Sequence, residues 1–412
     1  MTFLPELLAP VGNREKLETA IRYGADAVYL GGPIMNLRAK SAAFDWDALC
    51  DGIAYAHQHD VSAYMCLNAL PREQDLKKVD EALEHISGMD DASRPDALII
   101  ADPGVLAKTR KLLPDMPIHL STQANTANSS SAAFWQDFGV SRVNLARELD
   151  LQAIMNIRRA LPDLELEVFC HGAMCMAVSG RCVMSAHMNN RSANLGLCTH
   201  PCRFDYQVKA IAIEEKTRPG TLAWEVYEED GYSSILAAED LCLIKFLPWF
   251  MENGVHAIKI EGRMKSGGYL AQVVDSYATG LRALKAGTFK ADDHLGELLN
   301  TASRPLTSGF FLPEGKRVTY PAAEVQHPIV GRILAQTGDE SWQVAVRTRF
   351  DCSKPLCILV PGLERPVMAS TEYSFENPQG ERRDTVHSGT TLTLRASHPA
   401  LSEGLFLREA AE

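Results

Sequence analysis

Short apolar runs recur along the first two thirds of the chain, and each is followed by a stretch in which apolar residues have helical spacing. The pattern predicts strands at Glu6–Ala9, Ala27–Leu30, Ser62–Leu67, Ala97–Ile100, Ile118–Ser121, Arg142–Leu145, Leu166–Phe169 and Ala257–Ile260. It predicts helices between them, for example at Arg14–Tyr23, Trp46–His59, Ala132–Phe138 and Leu151–Leu161. Strands that alternate with helices indicate βα units and a parallel sheet.

Eight such strands within about 260 residues favour a closed (β/α)8, TIM-like barrel over an open doubly wound sheet. The open sheet would need a Gly-rich phosphate loop after its first strand, and Ala-Pro-Val-Gly-Asn-Arg is a poor one. We therefore predict an α/β barrel over residues 1–290.

Two further segments depart from the βα pattern. A long Cys-rich insertion, at about 171–255, separates the seventh and eighth strands and far exceeds an ordinary βα loop. Residues 291–322 are predicted as a linker or helical connection. Short strands with Gly and Pro turns then predict a small all-β, barrel-like domain over 323–412.

Composition sets limits on location and partners. The net charge of −11 argues against indiscriminate polyanion binding, although it permits a local basic pocket for RNA. The sequence has no stretch of about 18 uninterrupted apolar residues and no visible signal peptide, so we expect no membrane span. Ten cysteines without an export signal indicate a reducing compartment, and we expect a cytoplasmic protein.

Polar residues follow the predicted strands, and the carboxyl ends of barrel strands are where chemistry takes place. They are Asn68, Asp102, Gln123, Asn125, Arg147, Glu148, His171, Glu261, Arg263 and Lys265. Arg147, Arg263 and Lys265, with Arg191 from the insertion, suit a substrate that bears carboxylates or phosphates. Gln123 and Asn125 are further substrate-binding candidates. We expect His171, Glu261 and Arg263 to be catalytic, the first two in proton transfer.

Five of the ten cysteines lie between residues 170 and 202. Four thiolates suffice for an iron–sulfur cluster or a structural zinc, and the paired C-x2-C knuckles of zinc ribbons are absent, which favours iron–sulfur. The candidate ligands are Cys175, Cys182, Cys198 and Cys202, with Cys242 as an alternative fourth ligand. We interpret Cys170, at the end of a strand, as a packed core thiol.

A thiol hydrolase built on Cys175 and His171 is a different interpretation of the same segment. It leaves the other thiols unexplained, and the sequence contains neither H-E-x-x-H nor G-x-S-x-G. We therefore treat it as the weaker hypothesis.

Several motifs resemble the collagenase-like peptidase family U32 over about residues 4 to 285. They are Pro-Glu-Leu-Leu-Ala-Pro-Val-Gly-Asn, Glu-Val-Phe-Cys-His-Gly-Ala-Met-Cys, Ser-Gly-Arg-Cys, Cys-Thr-His-Pro-Cys-Arg and Ile-Lys-Ile-Glu-Gly-Arg-Met-Lys-Ser. The better understood members of that family are oxygen-independent hydroxylases with a [4Fe–4S] cluster, and they act on tRNA, ribosomal RNA or a ubiquinone precursor. The RNA-directed members depend on prephenate as a co-substrate.

A barrel followed by a small β-domain is most similar to the members that act on tRNA. The resemblance implies a hydroxylase that forms 5-hydroxyuridine at the wobble position of tRNA, with a [4Fe–4S] cluster loaded by the iron–sulfur assembly machinery. It assigns the cluster to Cys175, Cys182, Cys198 and Cys202. The alternatives are a peptidase, and a hydroxylase that acts on ribosomal RNA or a quinone precursor.

The chain departs from the family pattern in three places. Cys170 stands where an apolar residue is usual, Leu195 where Arg is frequent, and Gly267-Gly268 where Pro-Glu often follows Lys-Ser. None of these positions is a predicted cluster ligand.

Overall fold

The structure is a computed structural model. It describes residues 3–36, 44–174, 178–179, 182, 184–189, 191, 193, 198–203, 239–313, 316–321 and 327–410. The predicted ligand Cys175 lies outside the described residues, as does Leu195.

Eight parallel strands form a closed barrel, which confirms the predicted fold class. The barrel strands are β1 (Glu6–Pro10), β2 (Ala27–Gly31), β3 (Ser62–Leu67), β4 (Ala97–Ile100), β5 (Ile118–Leu120), β6 (Arg142–Asn144), β7 (Glu165–Ala173) and β9 (Ala257–Ile260). Neighbours pair in sequence order, and β9 closes the barrel by pairing with both β7 and β1. All eight predicted strands are therefore present, in the predicted order.

Helices surround the barrel. They are α1 (Arg14–Arg22), α2 (Trp46–His57), α3 (Leu76–Ser87), α4 (Pro103–Leu112), α5 (Ser129–Asp137), α6 (Leu151–Ala160), α8 (Leu247–Glu252) and α9 (Gly267–Lys285). The short α7 (Met184–Asn189) belongs to the insertion, and α10 (Asp292–Asn300) follows the barrel.

Side-chain caps fix where several helices begin. The capping residue accepts a hydrogen bond from a backbone N–H of the first turn, which satisfies a donor that the helix leaves free. These caps are Asn13, Asp45, Asp102, Asn128, Asp150 and Ser266. Part of the polarity after the barrel strands therefore serves helix initiation.

Three strands extend the barrel sheet beyond the eight. β8 (Asp240–Cys242) pairs antiparallel with the end of β7, and β10 (Leu306–Thr307) pairs parallel with β8. β11 (Thr319–Tyr320) then pairs antiparallel with β10. Residues 291–322, treated above as a linker, thus contain α10 and two strands that belong to the barrel sheet.

The C-terminal module is an eight-stranded antiparallel sheet with a separate strand pair. Its strands are β12 (Ile329–Gly338), β13 (Ser341–Val346), β14 (Phe350–Asp351), β15 (Leu356–Leu359), β16 (Val367–Met368), β17 (Tyr373–Glu376), β18 (Arg382–Arg383), β19 (Thr385–Val386), β20 (Thr391–Ala396) and β21 (Phe406–Glu409). The sheet order is β16-β15-β21-β12-β13-β20-β17-β18, and β14 pairs with β19. The predicted all-β module is confirmed.

Helix α9 lies between the barrel and the module. Its fully buried Asp275 accepts hydrogen bonds from Gly362 N (2.6 Å), Leu363 N (3.0 Å) and Arg365 Nη2 (2.9 Å). A side chain at Gly268 would place Cβ 2.6 Å from Ile329 Cγ1. The departure from the family pattern at Gly267-Gly268 therefore lets the module approach α9 closely.

No helix in the described ranges is both long and apolar enough to cross a lipid bilayer.

Candidate active site at the barrel mouth

A polar arc crosses the barrel interior just below the carboxyl ends of the strands. We use this name for Asn68, Ser121, Asn144, Glu167 and Lys259. Asn68 Nδ2 donates to Ser121 Oγ (3.3 Å), and Lys259 Nζ donates to Glu167 Oε1 (2.8 Å). The register of β6 and β7 places Asn144 beside Glu167. All except Asn68 are buried.

Lys259 is held by aromatic rings as well as by its carboxylate. Its Nζ lies 4.3 Å from the centroid of the Tyr29 ring and 5.7 Å from that of Phe169. The Arg147 guanidinium stacks on Phe169 at 3.8 Å, and Arg147 Nη1 donates to Ala173 O (2.7 Å). Because ring faces attract cations, Phe169 contributes to placing two positive charges near the mouth.

A second group of charges lies at the opposite, amino-terminal end of the barrel. Arg142 Nη1 donates to Glu6 Oε1 (2.7 Å), and Arg142 Nε donates to Glu165 Oε2 (2.7 Å). Burial raises the pKa of Glu6, and the adjacent guanidinium opposes that shift. A cavity of about 890 Å³ opens beside these residues, on the side away from the mouth.

Arg263 and Glu261 follow β9, as predicted. Arg263 is buried and donates from Nη2 to Asn36 Oδ1 (3.3 Å), while its carbonyl accepts from Lys16 Nζ (2.8 Å). Gly31 faces this guanidinium, and a Cβ there would overlap Arg263 Nη2. Arg263 is thus fixed against β2, and it presents little surface to a ligand.

Lys265 is more accessible than Arg263. Its Nζ lies 3.7 Å from Asp240 Oδ2 at the start of β8, and 5.0 Å from the centroid of the Tyr269 ring. The side chain keeps 30% of its surface exposed, so it remains available to an anion. Lys265 therefore joins the base of the insertion to the rim of the barrel.

His171 does not face the barrel interior. A bulge separates Phe169, which pairs with Lys259, from His171, which pairs with Ile260. The bulge turns the imidazole towards α9, where Nδ1 lies 3.4 Å from Tyr277 Oη. Burial lowers the pKa of His171 to about 3. This location does not fit the predicted proton-transfer role at the mouth.

The loop after β5 presents two other predicted residues. Gln123 and Asn125 are half-buried, and Asn125 adopts the left-handed conformation with φ of 54°. Asp102, by contrast, caps α4 by accepting from Val105 N (3.0 Å). Gln123 and Asn125 therefore remain candidates for substrate binding. Asp102 instead caps a helix.

Glu148 ties the thiol-rich segment to the barrel. Its Oε1 accepts from Ser179 N (2.8 Å), and both of its oxygens lie within 3.2 Å of Ser179 Oγ. Ser179 is buried and lies three positions before Cys182. The anchor therefore places the segment that bears Cys182 beside the end of β6.

A second set of contacts joins the other thiols to α7. Ser185 on this helix accepts from Thr199 N (3.0 Å) and contacts Thr199 Oγ1 (3.1 Å). His200, with φ of 57°, donates its N–H to Cys198 Sγ (3.4 Å).

Cys182, Cys198 and Cys202 are half-buried free thiols. The exposed Arg191 donates its N–H to Ser185 O (3.2 Å) in the same subregion.

Two buried cysteines lie away from that subregion. Cys242 pairs with His171 across β8 and β7, its Sγ is 4.0 Å from Tyr277 Oη, and burial raises its pKa to about 11. Burial also raises the pKa of Cys170, whose Sγ contacts Lys259 O (3.5 Å). Both thiols are thus packed inside the fold, and Cys242 stays the alternative fourth ligand that the sequence predicts.

The described residues contain no group of three or more His, Cys, Asp or Glu side chains that could hold a metal ion. Cys175 lies outside them. The donor chemistry of the insertion fits an iron–sulfur cluster, since thiolates are its ligands and an N–H directed at sulfur, as at Cys198, is a group that tunes its potential.

A family model described as peptidase family U32 matches residues 12–319, which run from just after β1 through the rest of the barrel and the insertion to the start of β11. The chain belongs to this family. Membership was predicted from the thiol motifs and from the residues after β9.

Two relatives in this family carry the comparison further. The tRNA hydroxylation protein P of Escherichia coli (strain K12) is 34% identical, covering 92% of this chain and 90% of that protein. The protein of the same name from Helicobacter pylori (strain J99) is 39% identical, covering 74% of this chain and 71% of that protein. An alignment that leaves out 8% of the chain necessarily includes part of the C-terminal module.

Among solved structures, the U32 peptidase Mk0906 matches with a TM-score of 0.41 and 12% identity, covering 65% of this chain and 96% of that chain.

Proposed function

We propose that this member of the U32 family is a tRNA hydroxylase that forms 5-hydroxyuridine at the wobble position. The observation that carries the proposal is the similarity to the Escherichia coli tRNA hydroxylation protein P, which extends over nearly the whole of both chains. The polar mouth and the anchored thiol segment supply a site in which such chemistry could occur. A tRNA substrate also accords with the expected cytoplasmic location.

We further propose that Cys175, Cys182, Cys198 and Cys202 hold a [4Fe–4S] cluster, loaded by the iron–sulfur assembly machinery. Three of these thiols are half-buried, and the Glu148–Ser179 anchor brings the segment to the mouth. When bound, the cluster would supply one-electron redox chemistry. The protein's part is to hold these thiols beside the strand ends and to direct the His200 N–H at Cys198 Sγ.

Prephenate is the proposed co-substrate, bound as a dianion at the mouth. Arg147 and Lys265 offer accessible cations there, and Arg191 is exposed on the insertion. Gln123 and Asn125 would supply neutral contacts. With His171 turned towards α9, Glu261 is the remaining candidate for proton transfer, and Arg263 orients the segment after β9.

Mass spectrometry of tRNA tests this function. A strain lacking the gene and its paralogues is complemented with the wild-type chain, with Cys182→Ala, or with Cys50→Ala, which removes a half-buried thiol outside the insertion. We expect wobble hydroxylation with the wild type and Cys50→Ala, and none with Cys182→Ala. Absence of hydroxylation in the wild-type complemented strain would refute the substrate assignment.

An anaerobic absorption spectrum with iron and sulfide counts tests the cluster separately. We expect about four iron and four sulfide ions per chain in a [4Fe–4S] protein. Cys182→Ala should lose them, whereas Cys242→Ala should keep them. Loss of iron from Cys242→Ala with retention in Cys202→Ala would restore Cys242 as the fourth ligand.

The peptidase alternative gains no support from the site. It requires an imidazole that can activate a thiol, and His171 is buried against Tyr277 with its pKa lowered to about 3. A hydroxylase of ribosomal RNA or of a quinone precursor would use the same mouth. The tRNA measurement distinguishes it, because tRNA hydroxylation would then be unchanged by loss of the gene.

A further inference from the structure

Phe310 is a large aromatic side chain at the rim of the barrel, and 56% of its surface is exposed. Single exposed apolar residues are common on protein surfaces and need no explanation by themselves. Within the described ranges, however, four of them surround the mouth: Leu70 after β3, Val178 beside Ser179, Met264 after β9, and Phe310. Phe310 is the aromatic member of this group, and an aromatic side chain has a flat face on which another ring can stack.

The turn that carries Phe310 is held firmly. Ser308 N donates to Val318 O (2.9 Å), and Ser308 Oγ accepts from Val318 N (3.0 Å). The ring of buried Phe311 packs against three other rings, with centroids 4.8, 5.0 and 5.4 Å away: those of Phe246, Trp249 and Phe250. Phe310 therefore projects from a fixed backbone, so binding a ligand there costs little conformational entropy.

The same turn rests on two elements of the mouth. Phe311 O accepts from the N–H of Leu151 (3.0 Å), the first residue of α6. A Cβ at Gly309 would lie 3.3 Å from Cε of Met174, the residue after β7. The exposed ring of Phe310 thus borders the carboxyl ends of β6 and β7, beside the candidate site.

Cations lie near this ring. Arg147 follows β6 and donates to the last carbonyl of β7 (2.7 Å). Lys316 is exposed and belongs to the same connection between β10 and β11 as Phe310, as does Arg317, which shares its charge with Glu239. An aromatic face with cations beside it is how proteins bind single-stranded nucleic acid, since every base can stack and every nucleotide brings a phosphate.

We infer that Phe310 stacks on a base of single-stranded RNA next to the base that enters the mouth, and that Lys316 binds a phosphate of the same strand. This rests on the tRNA substrate proposed above, for which the stacked base is a neighbour of the wobble uridine. An apolar protein partner would cover Phe310 equally well, but it would leave the cations beside the ring without counter-charges.

Fluorescence anisotropy with the full-length, iron-containing protein tests the stacking contact. The probe is a labelled anticodon stem-loop RNA with a wobble uridine. Phe138→Leu is the matched control, because Phe138 is 54% exposed and lies at the end of α5 away from the mouth. We expect Phe310→Leu to weaken RNA binding about tenfold, whereas Phe310→Trp and Phe138→Leu should keep the wild-type affinity.

Removing a base from the RNA tests the same contact from the other side. Two further probes lack the base before or after the wobble uridine. We expect one of them to bind the wild type about tenfold more weakly than the intact probe. That probe should bind the wild type and Phe310→Leu equally, because both changes remove one shared contact.

Salt dependence tests the phosphate contact. For single strands, the slope of log affinity against log salt concentration is about −0.7 for each phosphate neutralised. We expect Lys316→Gln to make the slope shallower by about 0.7. Lys111→Gln, exposed in the last turn of α4, should leave it unchanged. An unchanged slope in Lys316→Gln would overturn the phosphate contact.

Several outcomes would overturn the stacking contact: wild-type affinity in Phe310→Leu, equal losses in Phe310→Leu and Phe310→Trp or Phe138→Leu, or no binding of the RNA to the wild type. Circular dichroism verifies folding of the variants, and the probes that lack a base need only the wild-type protein. The hydroxylation measurement fails independently. RNA binding that depends on Phe310 without tRNA hydroxylation would remove only the proposed function, whereas hydroxylation with unaltered binding in Phe310→Leu would remove only this inference.

Discussion

Lys259 and Glu167 form an ion pair inside the barrel, where their side chains are 5% and 1% exposed. Removing the lysine leaves the buried Glu167 carboxylate with the more distant Arg142 Nη1, 4.0 Å from Oε2, as its counter-charge, and breaking a buried pair typically costs about 3–5 kcal/mol. We therefore expect Lys259→Met to lower the free energy of unfolding by about 3 kcal/mol, as measured by urea denaturation.

Two comparisons make that prediction specific. The double variant Lys259→Met/Glu167→Leu should recover most of the loss, because no unpaired charge remains. Lys77→Met removes an exposed pair with Glu81, 88% and 60% exposed, and should cost no more than about 0.5 kcal/mol. Equal losses for Lys259→Met and Lys77→Met would show that the buried pair is not held as described.

His171 gives a prediction about pH. Its pKa of about 3 in the folded protein lies below the ordinary value of 6.5. At a pH between these two values, the imidazole takes up a proton only when the chain is unfolded. The stability that this residue contributes is present above about pH 6.5 and is lost as the pH falls towards the folded value. We expect His171→Phe to reduce the stability loss between about pH 7 and about pH 5 by about 2 kcal/mol, measured by thermal and urea unfolding. An unchanged pH dependence would place His171 in contact with water.

The sequence alone identified some residues of the candidate site. Arg147, Arg263 and Lys265 were found because they directly follow barrel strands. Lys259, Glu167 and Asn144 were missed, although a charged residue inside an otherwise apolar strand was a usable signal. The direction of His171 could not be predicted, since a one-residue bulge reverses the face on which a side chain lies.

Helix α9 packs closely against the C-terminal module. Gly268→Ala would bring a Cβ 2.6 Å from Ile329 Cγ1, and overpacking of this kind costs about 1–3 kcal/mol. Gly296→Ala on α10 has no atom within 4 Å of the new Cβ, so it should stabilise the protein by up to about 1 kcal/mol. Opposite shifts in melting temperature are therefore expected, and a stabilising Gly268→Ala would contradict the close approach of the module.

The hydrogen bonds between Glu148 and Ser179 attach the insertion to the barrel. Glu148→Ala removes the acceptor for Ser179 N–H, and the amides of the described insertion residues should exchange with solvent faster. Hydrogen exchange followed by mass spectrometry measures this directly, with the exposed Glu84→Ala as control. Unchanged exchange at Ser179 would show that other contacts hold the segment.

The barrel strands were well predicted, because short apolar or β-branched runs of four to six residues followed by amphipathic stretches leave few alternatives. The added strands β8 and β10 were not predicted. Asp240–Cys242 and Leu306–Thr307 are too short to show alternation. They are strands because β8 pairs with the end of β7 and β10 pairs with β8.

For the whole molecule, the net charge of −11 limits how RNA can bind. Affinity cannot come from overall attraction to phosphates, so recognition has to rest on local groups at the mouth, the insertion and the module. The module packs directly on α9, where Asp275 binds Arg365 and the backbone N–H groups of Gly362 and Leu363.

Hydroxylation of tRNA in a purified system tests the proposed activity. The anaerobically purified protein with its iron is mixed with a reductant, prephenate and tRNA that lacks wobble hydroxylation, and the nucleosides are analysed by mass spectrometry. We expect 5-hydroxyuridine with the wild type, none when prephenate is omitted, and little with Arg147→Gln. Iron-containing wild-type protein that leaves the uridine unmodified under these conditions would refute the proposed activity.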